Sequence, residues 1–498
     1  MEFPDESRPV PLDDEHLAVI AADGRVGVPR YDRIRLVTGI VHVGVGGFHR
    51  AHQAMLVDRL LSQGEADDFA ICGVGLLPQD ERMADVLVNQ DFLYTLMLKH
   101  ADGGREAQII GSIVDFLLAP RDPDAVIERM ARAETLIVSL TVTEGGYNVD
   151  PTTGIFLADD PGVRHDIANL DAPATVFGFV TAALARRRAR GISPFAILSC
   201  PHNGTVARNS FVSFAGLVDP ELGDWIAQHV PFPSSMVDRV TPVTSDADQN
   251  DVRVRFGVDD QWPVVAEPFF QWVIEDNFPA GRPPFDAAGA QLVHDVAPYE
   301  AMKLRCANCT HQAICYFGTL LGYRYGHEAL QDPRILELVR RYLSEEALPS
   351  LTPIEGVDFA AYAAQVVERF ANPEIADTLA RIRAFGSDRI PKWLLPVVRD
   401  NLAAGRSVRM SAAICASWAR YNEGLDERGE PIEIVDRLQD ELARAAHAQQ
   451  QRPTAFIENR ELFGGLVDDP RFREPYLSTL EALRREGVDE ALRQLTRE

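Results

Sequence analysis

The hydrophobic positions follow two different patterns, one in each half of the chain. In the first half, short apolar runs rich in β-branched residues alternate with segments of helical periodicity, which is typical of a parallel sheet covered by helices. Four runs are predicted strands: Ile40 to Gly44, Phe69 to Val74, Thr135 to Thr141 and Phe195 to Ser199. The amino-terminal part is therefore expected to have an α/β fold.

Beyond residue 285 the apolar residues recur at helical spacing and predicted strands become scarce. Five helices are predicted: Ile335 to Leu343, Ala360 to Phe370, Ala412 to Tyr421, Ile434 to Ala446 and Pro475 to Leu495. The change follows the segment 278–284, where three prolines and a glycine cannot continue a regular element. We therefore expect an α/β domain over 1–284 and a mostly α-helical domain over 285–498.

A glycine-rich turn follows the first predicted strand. Gly44, Gly46 and Gly47 lie between that strand and an amphipathic segment, His49 to Leu61, which is the order of elements in a dinucleotide-binding fold. Gly44 permits a tight turn, and Gly46 lets the backbone approach a pyrophosphate at the start of the helix. Because His49 occupies the place of the usual third glycine, a turn that binds nothing remains the alternative.

The second predicted strand leads into Pro78-Gln79-Asp80. An acidic side chain at this place accepts hydrogen bonds from the adenosine ribose and disfavours a 2′-phosphate. Asp80 therefore predicts NAD as the cofactor, while Arg82 keeps NADP possible.

Three polar residues in the second half are candidates for catalysis. A helix is predicted from Pro298 to Gly318; at about 100° per residue, Asn308 and His311 lie about 60° apart and Lys303 about 80° from His311. Oxidation of a secondary alcohol needs a base and donors for the developing oxyanion. Lysine serves as the base only where burial or positive charge lowers its pKa to about 7–8. The alternative is a solvated lysine and asparagine beside a structural histidine.

Cys306, Cys309, His311 and Cys315 raise the alternative of a metal site. Thr310 separates the histidine from the second cysteine, which excludes the haem-attachment motif. A zinc site would need irregular backbone, because a continuous helix spreads these side chains around too wide an arc. We therefore predict buried core cysteines and no metal.

Charge and composition narrow the partners and the location. The chain of 498 residues carries a formal net charge of −25, which repels nucleic acid and anionic lipid. Six cysteines are too few for a disulfide framework, and the acidic first residues lack the pattern of a signal peptide. We expect a cytoplasmic protein without nucleic-acid or membrane partners.

Four segments occur in the order typical of one enzyme family: Gly44 to Gln53, Thr141 to Tyr147, Met236 to Pro242, and Pro298-Tyr299-Glu300 with Lys303, Asn308 and His311. By these segments, which are spread over most of the chain, it resembles the mannitol 2-dehydrogenase family of polyol-specific long-chain dehydrogenases/reductases. The resemblance implies an NAD(P)-dependent, zinc-independent enzyme with a nucleotide-binding first domain and a helical second domain that holds the catalytic lysine.

The resemblance also implies roles for single residues. Asn308 and His311 would bind the reacting oxygen, Glu300 would belong to a proton path, and Glu144 would line the entrance. The segment around the glycine turn adds Phe48, His49 and Arg50 to the cofactor residues. Substrate hydroxyls would be bound by Asp238 and by Lys392, in the loop Arg389 to Lys392. Capping or ion pairing is the competing interpretation of Asp238, Glu144 and Glu300.

One departure from the family pattern follows Cys200. The family has Asp-Asn-Leu before a stretch ending in Asn-Gly, whereas here Pro201-His202-Asn203-Gly204 follows directly. The missing asparagine binds the oxyanion in the family, and the loss of one such donor costs about 10²–10³ in turnover. Either Asn203 takes its place or the protein is a poor catalyst.

The predicted reaction is polyol plus NAD⁺ to ketose plus NADH, with mannitol to fructose as the first choice and arabinitol or sorbitol close behind. One alternative is a sugar-acid reductase acting on fructuronate or tagaturonate, which would need an arginine pocket; Arg389 and Arg305 are the candidates. Another is a weakly catalytic NAD-binding sensor, motivated by the missing tripeptide. We expect a monomer or a weak oligomer.

Overall fold

The computed structural model describes residues 9–142, 144–150, 153–200 and 204–497. It contains thirteen strands in these ranges: β1 Val10–Pro11, β2 Thr38–Val43, β3 Ala70–Gly75, β4 Tyr94–Lys99, β5 Arg105–Ile110, β6 Ile113–Leu118, β7 Ile137–Leu140, β8 Ala196–Ser199, β9 Ser235–Asp238, β10 Val258–Asp259, β11 Val264–Ala266, β12 Gln271–Glu275 and β13 Gln291–Val293. The chain divides into two units, Met1–Val296 and Ala297–Glu498.

A five-stranded parallel sheet in the order β6-β3-β2-β7-β8 forms the centre of the first unit. Its inner strands are apolar on both faces: Ile40 and Ile71 pack into one core cluster, and Val41 and Val74 into another. Such two-sided burial requires helices on both faces of the sheet. The four predicted strands correspond to β2, β3, β7 and β8, and the predicted Rossmann-type sheet is confirmed.

Ten helices belong to this unit: α1 Leu17–Asp23, α2 Gly47–Ala51, α3 Gln53–Gln63, α4 Glu81–Asn89, α5 Pro123–Ala131, α6 Pro161–Ala168, α7 Val176–Arg190, α8 Gly204–Val218, α9 Pro220–His229 and α10 Asp246–Asp251. Met55 and Leu60 of α3 pack on one face of the sheet, and Val126 of α5 and Val180 of α7 on the other. The helix predicted from His49 to Leu61 is in fact two, because the backbone at His52 (φ −124°, ψ −90°) is not helical.

Two smaller three-stranded sheets, β11-β4-β5 and β13-β12-β9, complete the unit with the short pair β1-β10. β13 pairs with β12 in parallel through Val273 and Gln291. The first unit therefore extends past Pro284, where the predicted first domain ended, to Val296.

The second unit is helical, with twelve α-helices in its described residues: α11 Ala297–Lys303, α12 Cys309–Leu320, α13 Gly326–Gln331, α14 Pro333–Arg341, α15 Phe359–Phe370, α16 Leu379–Arg383, α17 Gly386–Ala403, α18 Arg409–Tyr421, α19 Gln439–Ala448, α20 Arg460–Phe463, α21 Pro470–Arg485 and α22 Gly487–Arg497. Short π and 3-10 segments connect or extend helices: π at Val252–Phe256, Leu304–Asn308 and Tyr342–Ala347; 3-10 at Arg33–Arg35, Asp67–Phe69, Pro78–Asp80, Glu144–Tyr147, Phe285–Ala288, Leu348–Ser350 and Leu466–Asp468. The predicted helical second domain is confirmed.

Two of the helix predictions in this unit need correction. The segment predicted from Ile434 is helical only from Gln439 onward. The long helix predicted from Pro475 to Leu495 is two helices, because Gly487 adopts a positive φ of 85° and ends the regular backbone after α21. Within the described residues, none of the helices combines the length and the apolar content needed to cross a bilayer.

Candidate active site

The glycine turn lies at the carboxyl end of β2. Gly44 has φ +92°, a conformation that favours glycine, and a Cβ there would lie 2.8 Å from Thr141 Oγ1. At Gly46, the residue before α2, the nearest atom to an added Cβ is the Gly44 carbonyl oxygen, 3.9 Å away. The turn is therefore tight at Gly44 and open at Gly46. This geometry fits the close approach of a dinucleotide pyrophosphate.

The strand order places this turn where ligands bind in open α/β sheets. Successive strands β2, β3 and β6 extend the sheet in one direction, and β7 and β8 extend it in the other, so the order reverses between β2 and β7. Thr141, directly after β7, donates from Oγ1 to the Gly44 carbonyl at 2.7 Å. The turn and the residues after β7 thus line the crevice in which nucleotides bind in this class of sheet.

His49, at the place of the third glycine, packs against His42 of β2. Their rings stack with centroids 3.5 Å apart, and both side chains are buried. His42 is bonded to Ser139 Oγ at 2.8 Å and to Thr141 Oγ1 at 3.0 Å. Burial lowers the pKa of His42 to about 3 and that of His49 far below its usual value. Two neutral imidazoles therefore fill the helix–strand contact that a glycine usually closes, which the motif alone did not reveal.

The other residues of the turn hold it to the unit. Phe48 stacks on His52 with centroids 4.2 Å apart. Arg50 is buried; its Nη1 donates to the Trp262 carbonyl at 2.5 Å, and its guanidinium lies over the ring of Tyr94. Gly47 begins α2, and a Cβ added there would lie 3.4 Å from Thr241 Cγ2. The cofactor roles of these residues remain predictions.

Asp80 lies in the 3-10 helix that follows β3, and β3 pairs with β2, the strand that ends in the glycine turn. Its Oδ2 accepts from the backbone N–H of Leu77 at 2.9 Å, and its Cβ packs against Gly75, the last residue of β3. The carboxylate is half-buried at the end of the strand, the position from which it would meet a ribose. Arg82 is held with its guanidinium 4.7 Å from the ring centre of Trp262.

The three remaining predicted residues of the first unit belong to different segments of the chain. Asp238 ends β9 opposite Gln271 of β12 and is 6% exposed. Glu144 begins the 3-10 helix Glu144–Tyr147. Asn203, the candidate replacement for the missing asparagine, lies outside the described residues.

The predicted catalytic residues lie on one continuous helical segment with a π turn in the middle. The backbone N–H of Cys309 bonds to the carbonyl of Leu304, five residues back, so Lys303 and Asn308 flank an inserted residue. One extra residue removes about 100° of rotation, which places Asn308 about 40° and His311 about 20° from Lys303 around the axis. The prediction of a regular helix, with Lys303 about 80° from His311, was therefore wrong.

His311 is fixed against Phe370 of α15, with ring centroids 3.9 Å apart. Burial lowers its pKa to about 3; Asp377 opposes this, and the charges of Arg381, Arg389 and Lys303 act in the same direction as burial. The ring is therefore neutral near neutral pH and can donate one N–H without carrying charge.

Arg389 and Lys392 lie on α17, not in a loop as predicted, because the helix continues through Pro391 and Pro396. Arg389 donates from Nη1 to the Ile382 carbonyl at 2.6 Å, and its guanidinium lies over Trp393. Lys392 is exposed. The half-buried Glu300 lies one turn before Lys303 on α11.

The three cysteines on the helical segment that bears Lys303 are buried, and burial raises the pKa of each thiol, that of Cys309 to about 12. Across the described ranges, histidine, cysteine, aspartate and glutamate side chains form no cluster of three or more that could hold a metal ion. Cys306, Cys309, His311 and Cys315 thus offer no such cluster there.

A glycine turn at the switch point of a Rossmann-type sheet, followed by a helical unit that presents a lysine, an asparagine and a histidine on one face, defines a two-domain nicotinamide-dependent dehydrogenase. Two family models match the chain: the mannitol dehydrogenase Rossmann domain over residues 38–287 and the mannitol dehydrogenase C-terminal domain over residues 295–484. The chain belongs to the mannitol dehydrogenase family.

Similar proteins support this assignment over the full length. Mannitol 2-dehydrogenase of Pyricularia oryzae is 43% identical over 488 residues, which cover 96% of this chain and 97% of that protein. The structure of Pseudomonas fluorescens mannitol 2-dehydrogenase in a ternary complex with NAD and D-mannitol is 41% identical, covers 98% of this chain and 100% of that one, and has a TM-score of 0.89. A substrate-free D-sorbitol dehydrogenase is 35% identical, covers 94% of this chain and 97% of that one, and has a TM-score of 0.87.

These matches confirm the predicted family, the fold class, the enzyme class of NAD-dependent polyol dehydrogenase and the cofactor NAD. The roles of the individual site residues remain predictions.

Proposed function

We propose that the chain transfers hydride between a polyol and NAD⁺, with mannitol and fructose as the favoured pair, Lys303 as the general base and no metal. The observation that carries the proposal is the full-length match to the Pseudomonas fluorescens enzyme, whose structure contains NAD and D-mannitol. We also propose that it works in the cytoplasm as a monomer or weak oligomer.

The first unit would hold the cofactor, which accepts the hydride of the carbinol carbon. Gly46 gives the pyrophosphate room at the start of α2, and Asp80 accepts hydrogen bonds from the ribose. Because a carboxylate at that place repels a 2′-phosphate, and because Arg82 is stacked on Trp262, the residues favour NAD over NADP.

The second unit would handle the hydroxyl proton and the oxygen. The amine of Lys303 accepts the proton of the reacting hydroxyl, while the Asn308 amide and an N–H of His311 donate to the oxygen as negative charge develops. A neutral imidazole suits this task, since the positive charge of a protonated ring would oppose the protonation of Lys303. The stack on Phe370 fixes the plane of the donor.

Other residues would complete the site. Glu300 precedes Lys303 by one helical turn on the same face and would pass the proton to solvent. Asp238, Lys392 and Arg389 would bind substrate hydroxyls, Glu144 would line the entrance, and Asn203 would replace the missing oxyanion donor.

The sugar-acid alternative is weakened by the contacts of Arg305. Its Nη1 lies 2.7 Å from Asp400 and donates to the Ser350 carbonyl at 2.6 Å. An arginine whose charge is already paired offers little to a substrate carboxylate. The sensor alternative finds no support in the comparisons, since the full-length relatives carry dehydrogenase names.

The test is a substrate panel. NADH formation is measured with mannitol, sorbitol and arabinitol, and NADH consumption with fructose, fructuronate and tagaturonate, each with and without a chelator. We expect the highest kcat/KM for mannitol and fructose and no effect of the chelator. Turnover of the sugar acids alone, or loss of activity on chelation, would contradict the proposal.

A further inference from the structure

The hydroxyl of a buried tyrosine contacts the π turn between Lys303 and Asn308. Tyr342, the residue after α14, has no exposed surface and donates from its hydroxyl to the Arg305 carbonyl at 2.8 Å. Arg305 is the second residue of the π turn Leu304–Asn308. The bond links residues that are distant in sequence and lies within the second unit.

This carbonyl needs a partner because of the π turn itself. In a regular α-helix the Arg305 carbonyl would accept from the backbone N–H of Cys309. Here that N–H bonds to the carbonyls of Leu304 and Cys306 instead. The Tyr342 hydroxyl therefore supplies a donor that the α-helical pattern would have supplied, and an unpaired buried carbonyl would be costly.

The side chain of Arg305 is anchored as well. Its guanidinium is bonded to the Ser350 carbonyl and to Asp400 on α17, so the residue is held at both its backbone and its side chain. Such anchoring fixes the position of the inserted residue, since π turns are unfavourable unless neighbouring groups compensate.

The inserted residue decides which way the catalytic side chains point. With it, Lys303, Asn308 and His311 lie within about 60° around the helix axis; in a regular helix they would spread over about 140°. We propose that Tyr342 is a positioning residue of the proposed reaction, which maintains the π turn through the Arg305 carbonyl and thereby keeps Lys303 on the same face as Asn308 and His311. The inference rests on the proposed role of Lys303 as the base.

Tyr342→Phe tests the proposal, because it removes the hydroxyl and keeps the buried ring. We expect kcat/KM for mannitol to fall about tenfold, in kcat rather than KM, with the Kd for NADH unchanged. Amide hydrogen exchange of residues 304–310 should become about tenfold faster. Combining Tyr342→Phe with Lys303→Ala should cost no more activity than Lys303→Ala alone, since Tyr342 acts through the lysine.

Tyr476→Phe is the matched control, because Tyr476 is equally buried and donates its hydroxyl to Gln449, away from the catalytic helix. It should lower the Tm as much as Tyr342→Phe does and leave kcat/KM within about twofold.

Should Tyr342→Phe not fold, Asp400→Ala takes its place. The expected loss of kcat/KM is about two- to threefold, roughly the effect of one partly exposed ion pair.

Wild-type kcat/KM and wild-type exchange in the tested variant would overturn the inference. If Lys303→Ala kept its activity, the proposed function would fail instead, and the exchange of residues 304–310 would still decide whether Tyr342 holds the turn.

Discussion

The predicted site residues of the two units belong to different kinds of structure. In the first, the predicted residues form a backbone turn: Gly44 bends the chain and Gly46 leaves space, at the carboxyl end of β2, where the strand order reverses. In the second, the predicted residues are the side chains of Lys303, Asn308 and His311, on a helical segment that contains a π turn. Glycines in a sequence indicate a site that is formed by the backbone. A site that is formed by side chains depends on helix geometry, which cannot be predicted from residue spacing alone.

The units also share a feature, a buried carboxylate that joins two elements. In the first, Asp58 of α3 accepts from the Gly111 backbone N–H at 2.8 Å and from the Tyr31 hydroxyl. In the second, Glu346 accepts from the backbone N–H groups of Met410 and Ser411 at the start of α18, at 2.5 and 2.9 Å. Burial raises the pKa of Asp58 to about 6 and that of Glu346 to about 7.

The largest effect is expected at Lys303. Lys303→Ala should lower kcat about a thousandfold, because the hydroxyl proton loses its acceptor, and leave the Kd for NADH unchanged, because the glycine turn lies in the other unit. Lys303→Met, which keeps much of the volume without the amine, should behave alike. Steady-state kinetics and fluorescence titration with NADH measure both quantities. Retained turnover in either variant would remove Lys303 from the role of base.

At Gly46 we expect the opposite result, weaker binding of NADH. Gly46→Ala has room in the structure and an ordinary φ of −114°, so the Tm should not change, but the methyl group should crowd the pyrophosphate and raise the Kd for NADH about ten- to hundredfold.

Gly44→Ala is the matched variant for that experiment. Here the positive φ and the 2.8 Å approach to Thr141 should destabilise the fold by about 1–2 kcal/mol. Equal effects of the two alanines on the Tm, or normal NADH binding by Gly46→Ala, would show that the turn does not divide the two tasks as described.

The smallest expected effect is the pH dependence of stability at the two buried carboxyl groups, Asp58 and Glu346. A carboxyl whose pKa is raised on folding stabilises the protein fully below its unfolded value, and this stability is lost as the pH rises through the folded value. Between pH 5 and pH 8 the Glu346 site should therefore lose about 2 kcal/mol and the Asp58 site about 1 kcal/mol.

Glu346→Gln and Asp58→Asn should each abolish this dependence in its own unit only. Hydrogen exchange of the peptides containing Ser411 and Gly111, corrected for the intrinsic rate, measures the two sites separately. A pH dependence that persists in the variant would show that other groups cause it.

Four of the five strands of the parallel sheet were predictable from the sequence, and the edge strand β6 was not. β2, β3, β7 and β8 are buried, nearly continuous apolar runs, which a hydrophobic pattern detects. β6 was missed because its burial pattern is mixed, unlike that of β8 at the other edge, and it includes Asp115, which pairs with Arg129 of α5 at 2.5 Å. An ion pair across elements leaves no periodic signal in the sequence.

The candidate site was predictable in its residue types and less so in its geometry. Gly44 and Gly46 were predicted from the glycine motif, and Lys303, Asn308 and His311 from spacing together with the family resemblance; their roles stay predictions. The stack of His42 on His49, the stack of Phe370 on His311 and the bond from Tyr342 to Arg305 were not found. Each joins residues from different elements, so that no local pattern could indicate them.

The sequence alone determined the order of an α/β and a helical region and the turn at Gly44, because these depend on local periodicity and on the conformational freedom of glycine. Only the tertiary structure decided that the helical segment with Lys303, Asn308 and His311 contains a π turn. The extra residue is tolerated because Tyr342 and Asp400, from other helical segments, bond to Arg305 within it. A helix read from its own residues has no reason to depart from about 100° per residue; its neighbours provide that reason.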